Sequence, residues 1–348
     1  MGEHKKGEDR CPHQEFIHLS DLHFGKCFGL TKIRERNEAV IEHIGENHPG
    51  IPVLITGDIV DSGFRCQYKK AKEELTKLAK TNPILLVPGN HDYNHLGNFI
   101  NVKADDRWKE FFGVPMGWEN GSMTLNKHNL KPERAGLMNW LLHGSDKFDG
   151  LGGWESEDWV VYGIDSGDPR DRTQTARGYV SEELRKRLKK ELEDEKRGKD
   201  RIRIVMLHHH PFMSDPFMVL KGADELMDVL RGNCEVLLFG HRHKYHIYKD
   251  KEYEIPLIIA SHSTPEHAFS HYLIVQLFRV FRDCSREFGY SERLEMIHRA
   301  SRPSLLMRFM KNVLWLNFKR IFYVIFKLML CPFRMTRMAI IFLFKGRK

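Results

Sequence analysis

The chain has 348 residues and a formal charge of +8, enough length to bury a substantial core in one large domain or two small ones. Six cysteines, at 11, 27, 66, 234, 284 and 331, form no CxxC pair and no disulfide framework, which excludes a stapled secreted module and fits a reducing, cytosolic setting. Twelve Lys or Arg and no Asp or Glu follow Glu295. The basicity therefore points to a membrane surface or nucleic acid for the tail alone.

The hydrophilic start predicts no signal peptide, and Lys6 stands where a myristoylation motif needs Ser or Thr. No window of eighteen apolar residues is free of charge, so no clear-cut transmembrane helix is expected. Residues 16–19 are predicted as a first strand, ending in Ser20-Asp21-Leu22-His23. A helix over 31–48 is stopped by Pro49-Gly50. A second strand, 51–56, ends in Gly57-Asp58, and an amphipathic helix over 69–80 carries Leu75 and Leu78 on one side. A third strand, 84–87, is broken by Pro88-Gly89 and runs into Asn90-His91-Asp92. Strand, helix and strand in alternation is a βαβ rhythm, the mark of an α/β fold.

Residues 93–157 show no clean period and hold four of the six tryptophans (108, 118, 140 and 154). They are expected to form an insertion, either a cap over the substrate or an aromatic subcore. Another strand covers 159–165. Ser181 is placed to cap a helix bearing Leu184, Leu188 and Leu192. Residues 202–207 run into His208-His209-His210-Pro211, a short helix covers 224–231, and 235–239 ends in Gly240-His241-Arg242-His243. Strands at 257–260 and 272–278 close the globular part, with 281–303 expected as a linker.

Five apolar runs thus end in candidate metal ligands: Asp21 and His23, Asp58, Asn90, His208, and His241 with His243. Open α/β sheets carry their chemistry at the carboxyl ends of strands. Carboxylate, imidazole and amide donors suit Mn, Fe or Zn, and the lack of Cys argues against a structural zinc site. Seven ligands are too many for one ion and about right for two sharing a carboxylate. Two ions about 3.5–4 Å apart clamp a phosphoryl group and furnish a nucleophile at neutral pH. His91 beside Asp92 is a common way to set a general acid.

The series Asp21-x-His23, Gly57-Asp58, Gly89-Asn90-His91-Asp92, His208 and Gly240-His241-x-His243 resembles the calcineurin-like metallophosphoesterase superfamily over residues 14–280. It is most similar in pattern to the branch holding cyclic-nucleotide phosphodiesterases, with a partial match to a Gly-x-Leu-Ser-x-x-Gln-Leu stretch at 178–184. The resemblance implies a four-layer αββα sandwich. It implies Asp21, His23 and His243 on one ion, Asn90, His208 and His241 on the other, and Asp58 bridging, with His209 as the fallback for His208. His91 would protonate the leaving oxygen, Asp92 would orient it, and a metal-bridging hydroxide would attack phosphorus in line. Ser62 stands where protein Ser/Thr phosphatases carry a phosphate-gripping Arg, which disfavours that class. His91 stands where one lipid A pathway pyrophosphatase has Arg, which disfavours that exact family.

Residues 304–348 change to Leu, Phe, Ile and Met punctuated by Lys and Arg. Over 305–330, Arg308, Lys311, Lys319, Arg320 and Lys327 fall on one arc of a helix, opposite Leu306, Met310, Leu314, Ile321, Ile325 and Leu328. This basic amphipathic tail is expected to lie on anionic lipid, rather than pack on the body, pair with a second copy or bind RNA. The expectation is a cytoplasmic dinuclear-metal phosphoesterase, peripheral on the cytosolic face of a membrane. Its substrate would be a phosphodiester, pyrophosphate or phosphomonoester of a lipid or nucleotide, with nucleic acid not expected. The alternatives are a soluble cyclic-nucleotide phosphodiesterase or nuclease, and a non-catalytic binding module of the same fold.

Overall fold

The computed structural model describes residues 13–25, 33–95, 100–101, 104–112, 151–155, 158–167, 176–198, 201–248, 253–265, 272–283 and 285–299. The centre of the expected cap and the basic tail lie outside these residues. The first half runs β1 (His13–Leu19), α1 (Ile33–Asn47), β2 (Val53–Thr56), α2 (Arg65–Ala79), β3 (Ile84–Val87), α3 (Asn90–Tyr93), β4 (Asn94–His95), β5 (Ile100–Asn101) and α4 (Ala104–Phe112). The second runs β6 (Leu151–Glu155), β7 (Trp159–Ile164), β8 (Gly178–Tyr179), α5 (Glu182–Gly198), β9 (Ile202–Met206), β10 (Leu220–Lys221), α6 (Ala223–Leu230), β11 (Val236–Phe239), β12 (His246–Tyr248), β13 (Leu257–Ala260), β14 (Tyr272–Arg282) and β15 (Phe288–Arg299).

Among the described residues two large sheets form, of order β15-β14-β1-β2-β3 and β12-β13-β11-β9-β7-β6. Strands β1, β2 and β3 are parallel, as are β7, β9, β11 and β13. A parallel sheet is covered on both faces, so its strands are apolar throughout and alternate between two cores. Leu54 of β2 and Phe16 of β1 face the second sheet, meeting Ile204, Leu238 and Ile259. Their neighbours Val53, Ile55 and Ile17 face α1 and α2, packing with Val40, Ile44 and Leu75. On the far side Leu237 and Ile258 meet Leu188 and Leu192 of α5 and Leu226 of α6. Helix, sheet, sheet, helix is the four-layer sandwich expected from the motif series.

One expectation needs correction. Residues 281–303, expected as a linker, contain β15, a 12-residue edge strand paired antiparallel to β14. Its run of charged and exposed side chains hides it, because an edge strand buries little and charge there blocks further pairing. The insertion also begins as part of the core: Trp108 and Phe112 of α4 are buried against Tyr68 of α2. Asn90-His91-Asp92 belongs to one helical turn, α3.

Candidate metal centre

Every candidate ligand emerges just past the carboxyl end of a parallel strand. Asp21 and His23 follow β1, Asp58 follows β2, Asn90 and His91 follow β3, His208 follows β9, and His241 and His243 follow β11. Of the seven described non-glycine residues with positive φ, five are Asp21 (53°), His23 (48°), Asp58 (51°), His241 (74°) and His243 (54°). L-residues avoid this region, and strain concentrated in one place marks a functional site. The turns need tight backbones as well. A Cβ at Gly89 would collide with Asp58, and one at Gly240 with the Ser20 hydroxyl.

The side chains converge in two groups. In one, His243 Nε2 lies 3.1 Å from Asp21 Oδ1 and 3.2 Å from His23 Nε2. In the other, His208 Nε2 lies 3.1 Å from Asn90 Oδ1 and 3.1 Å from His241 Nδ1. Asp58 Oδ2 sits between them, 3.9 Å from His23 Nε2 and 3.4 Å from His208 Nε2. These donors are buried apart from His243, which is half-buried. His208 rather than His209 enters the cluster, since His209 Nδ1 meets the Ser166 hydroxyl at 2.9 Å.

Electrostatics keep both carboxylates ionised and His23 and His241 neutral, as cations need, whereas His208 holds a proton that a cation must displace. Burial alone would raise the Asp58 carboxyl, but His208 and His91 beside it hold it well below the usual carboxylate range. Burial likewise opposes ionisation of Asp21, and His243 overcomes it. Burial would lower His208, yet the Asp58 carboxylate pushes it up to about 9. His241 is lowered to about 3 by burial and then by His208, and His23 is lowered by burial and then by His91. Imidazole nitrogens stand 3.1–3.2 Å apart in pairs, and His241 Nε2 is buried with no hydrogen-bond partner. Donors about 3 Å apart match the edges of a coordination shell with bonds near 2.0–2.1 Å. Two carboxylates, four imidazoles and an amide oxygen in two groups joined by one carboxylate fit a pair of borderline divalent ions.

Supporting contacts fix which nitrogen faces the centre. His208 Nδ1–H donates to the Thr56 carbonyl at 2.8 Å, leaving Nε2 inward. The Ser20 hydroxyl lies 2.6 Å from Asp21 Oδ2. His91 packs edge-on to His23, ring centroids 4.8 Å apart, and its Nδ1 meets the Asp61 carbonyl oxygen at 2.6 Å. That contact corrects the expectation that Asp92 orients His91. Both Asp92 oxygens instead accept backbone N–H groups, from Val60 at 2.9 Å on one, and from Gly89 at 2.8 Å and Ile59 at 3.3 Å on the other. Asp92 clips the Asp58 turn to the Asn90 turn. Asp61 was missed because a backbone carbonyl leaves no mark in a sequence. Ser20, a small polar residue beside a ligand after an apolar run, carried the one signal that could have been read.

A family model for the calcineurin-like phosphoesterases matches residues 15–245, about two-thirds of the chain. A glycerophosphodiester phosphodiesterase, GpdQ of Enterobacter lignolyticus (strain SCF1), is 35% identical over 80 residues. That match takes in 22% of this chain and 28% of GpdQ, so the chain aligns with little more than a quarter of that relative. A dimetal phosphatase from Danio rerio is structurally similar, with a TM-score of 0.54 and 14% identity over 83% of this chain and 100% of the other. The calcineurin-like phosphoesterase YfkN from Bacillus subtilis aligns with a TM-score of 0.42 and 12% identity over 88% and 98% of the two chains. With five strand ends delivering the donors of a candidate two-ion centre inside the matched span, the chain belongs to the calcineurin-like phosphoesterases.

Proposed function

We propose that the protein hydrolyses a phosphodiester bond at the cytosolic face of a membrane. The observation that carries the chemistry is the Asp58 carboxylate standing between two donor groups. Asp21, His23 and His243 would hold one ion, Asn90, His208 and His241 the other, and Asp58 would reach both. Bound there, two divalent ions, manganese, iron or zinc by their donors, supply Lewis acidity to the phosphoryl oxygens and activate the attacking water.

The chain's own residues do the rest. With Nδ1 engaged by Asp61, the His91 ring is fixed and Nε2 is the end free to give a proton to the leaving oxygen. Asp92 keeps the two ligand-bearing turns in register through its three backbone contacts. Exposed Arg242, between the two histidines that follow β11, adds positive charge that draws an anionic ester. The GpdQ segment favours a diester over a pyrophosphate or monoester.

The membrane location rests on the tail sequence, in which five basic residues would share one arc of a helix and no acid occurs. Each basic residue near an anionic surface contributes about 1 kcal/mol. Reversing Lys311, Lys319, Arg320 and Lys327 to Glu in the full chain is expected to weaken binding to phosphatidylserine vesicles by about 10³-fold or more. Hydrolysis of soluble bis-p-nitrophenyl phosphate should be unchanged. Vesicle flotation of the reversed chain at wild-type levels would refute the location.

A further inference from the structure

Three ligating side chains converge a second time on elements that carry none of the candidate active-site donors. His43 lies in the last turns of α1, His48 just past its end, and Glu295 in the edge strand β15. His43 Nε2 lies 3.1 Å and His48 Nε2 2.7 Å from the same oxygen, Glu295 Oε2. The ring centroids are 5.7 Å apart, with the planes inclined at 60°. All three side chains are half-buried, so the point they share is still open to water.

We propose that His43, His48 and Glu295 form a separate, non-catalytic binding site for a zinc-class divalent cation that staples β15 to α1. The donor chemistry sets the class. Two imidazoles with one carboxylate and room for water suit zinc, and their nitrogens exclude magnesium or calcium as the favoured ion. The geometry needs little change, because donors now about 3 Å apart must separate only slightly to surround an ion with bonds near 2.0–2.1 Å.

The supports are rigid. The His48 backbone N–H bonds the Ile44 carbonyl at 2.9 Å, and the His48 carbonyl accepts from the Asn82 amide at 2.6 Å. Glu295 pairs across the sheet with Val275, whose side chain is buried in the core under α1, so the carboxylate is delivered to the helix side. Arg293 Nε lies 3.0 Å from Glu295 Oε1, which leaves Oε2 turned to the histidines. Asn47 Nδ2 donates to the His43 carbonyl at 2.9 Å, which holds the end of α1. Burial would raise the Glu295 carboxyl, but hydrogen bonds from His43 and His48 hold it below its usual value, in the form a cation needs. The consequence is structural. Among the described residues β15 pairs with one strand, and a cation would tighten its hold on α1.

Equilibrium dialysis of the chelator-stripped full chain against buffered zinc tests this, using wild type, the His43→Gln/His48→Gln double variant and the near-isosteric Glu295→Gln variant. Wild type is expected to bind one more equivalent than either variant, and zinc should raise the wild-type melting temperature further than theirs. All three should hydrolyse bis-p-nitrophenyl phosphate at the same rate, which reports folding and an intact catalytic centre. Equal zinc content in the wild type and an active Glu295→Gln chain would overturn the site and leave the three residues as a hydrogen-bonded clasp.

Discussion

Replacing Asp58 with alanine is expected to lower diester turnover by at least about 10³-fold and to loosen metal from both halves of the centre. Asp58 Oδ2 lies between His23 and His208, so its loss removes the one carboxylate shared by the two donor groups. Its other oxygen accepts the His91 backbone N–H at 2.8 Å, so alanine also frees the turn bearing the proposed proton donor. Asp21 is then the one carboxylate left among the candidate donors, and the set ceases to balance two cations. Asp58→Asn separates these effects, because an amide oxygen keeps the bond to His91 without the charge. Both variants should lose metal, measured as metal per chain after gel filtration. Retention of two equivalents with full kcat in either variant would show that Asp58 has no part in the centre.

His91→Gln is expected to depress cleavage of alkyl diesters by about 10²–10⁴-fold while leaving metal content intact. The ring is held by the Asp61 carbonyl and faces His23 edge-on, so it stands beside His23 and Asp58 without being one of the seven candidate ligands. A proton donor matters most when the leaving oxygen is basic. p-Nitrophenolate departs without help, so bis-p-nitrophenyl phosphate should lose far less, and the rate should fall more steeply with leaving-group pKa in the variant. A loss of the same size for every leaving group would assign His91 to binding rather than proton transfer.

Much of this centre was legible before any coordinates. An apolar run ending in Asp, Asn or His is a strand delivering a polar side chain to a sheet edge, and five such runs gave five of the seven parallel strands of the two large sheets and the seven candidate donors. The choice of His208 over His209 rested on motif order alone, and the Thr56 and Ser166 contacts supply its physical reason. What stayed hidden was non-local or carried by the main chain. Asp92 reads as a partner for its neighbour His91, yet its oxygens are spent on nearby Gly89 and on Ile59 and Val60, which the pairing of β2 with β3 brings near. The positive φ of Asp21, His23 and Asp58 leaves no trace in residue type, since such turns usually take glycine. β15 escaped because its exposed charges read as linker. The His43, His48 and Glu295 cluster escaped because it joins residues roughly 250 positions apart.

The most direct test is manganese titrated into the chelator-stripped full chain, with bis-p-nitrophenyl phosphate hydrolysis and bound metal per chain followed together. The expected result is no turnover in chelator and a rate that reaches its plateau only as a second equivalent is bound. Full turnover in chelator, or a plateau at one equivalent, would contradict a two-ion centre built across Asp58.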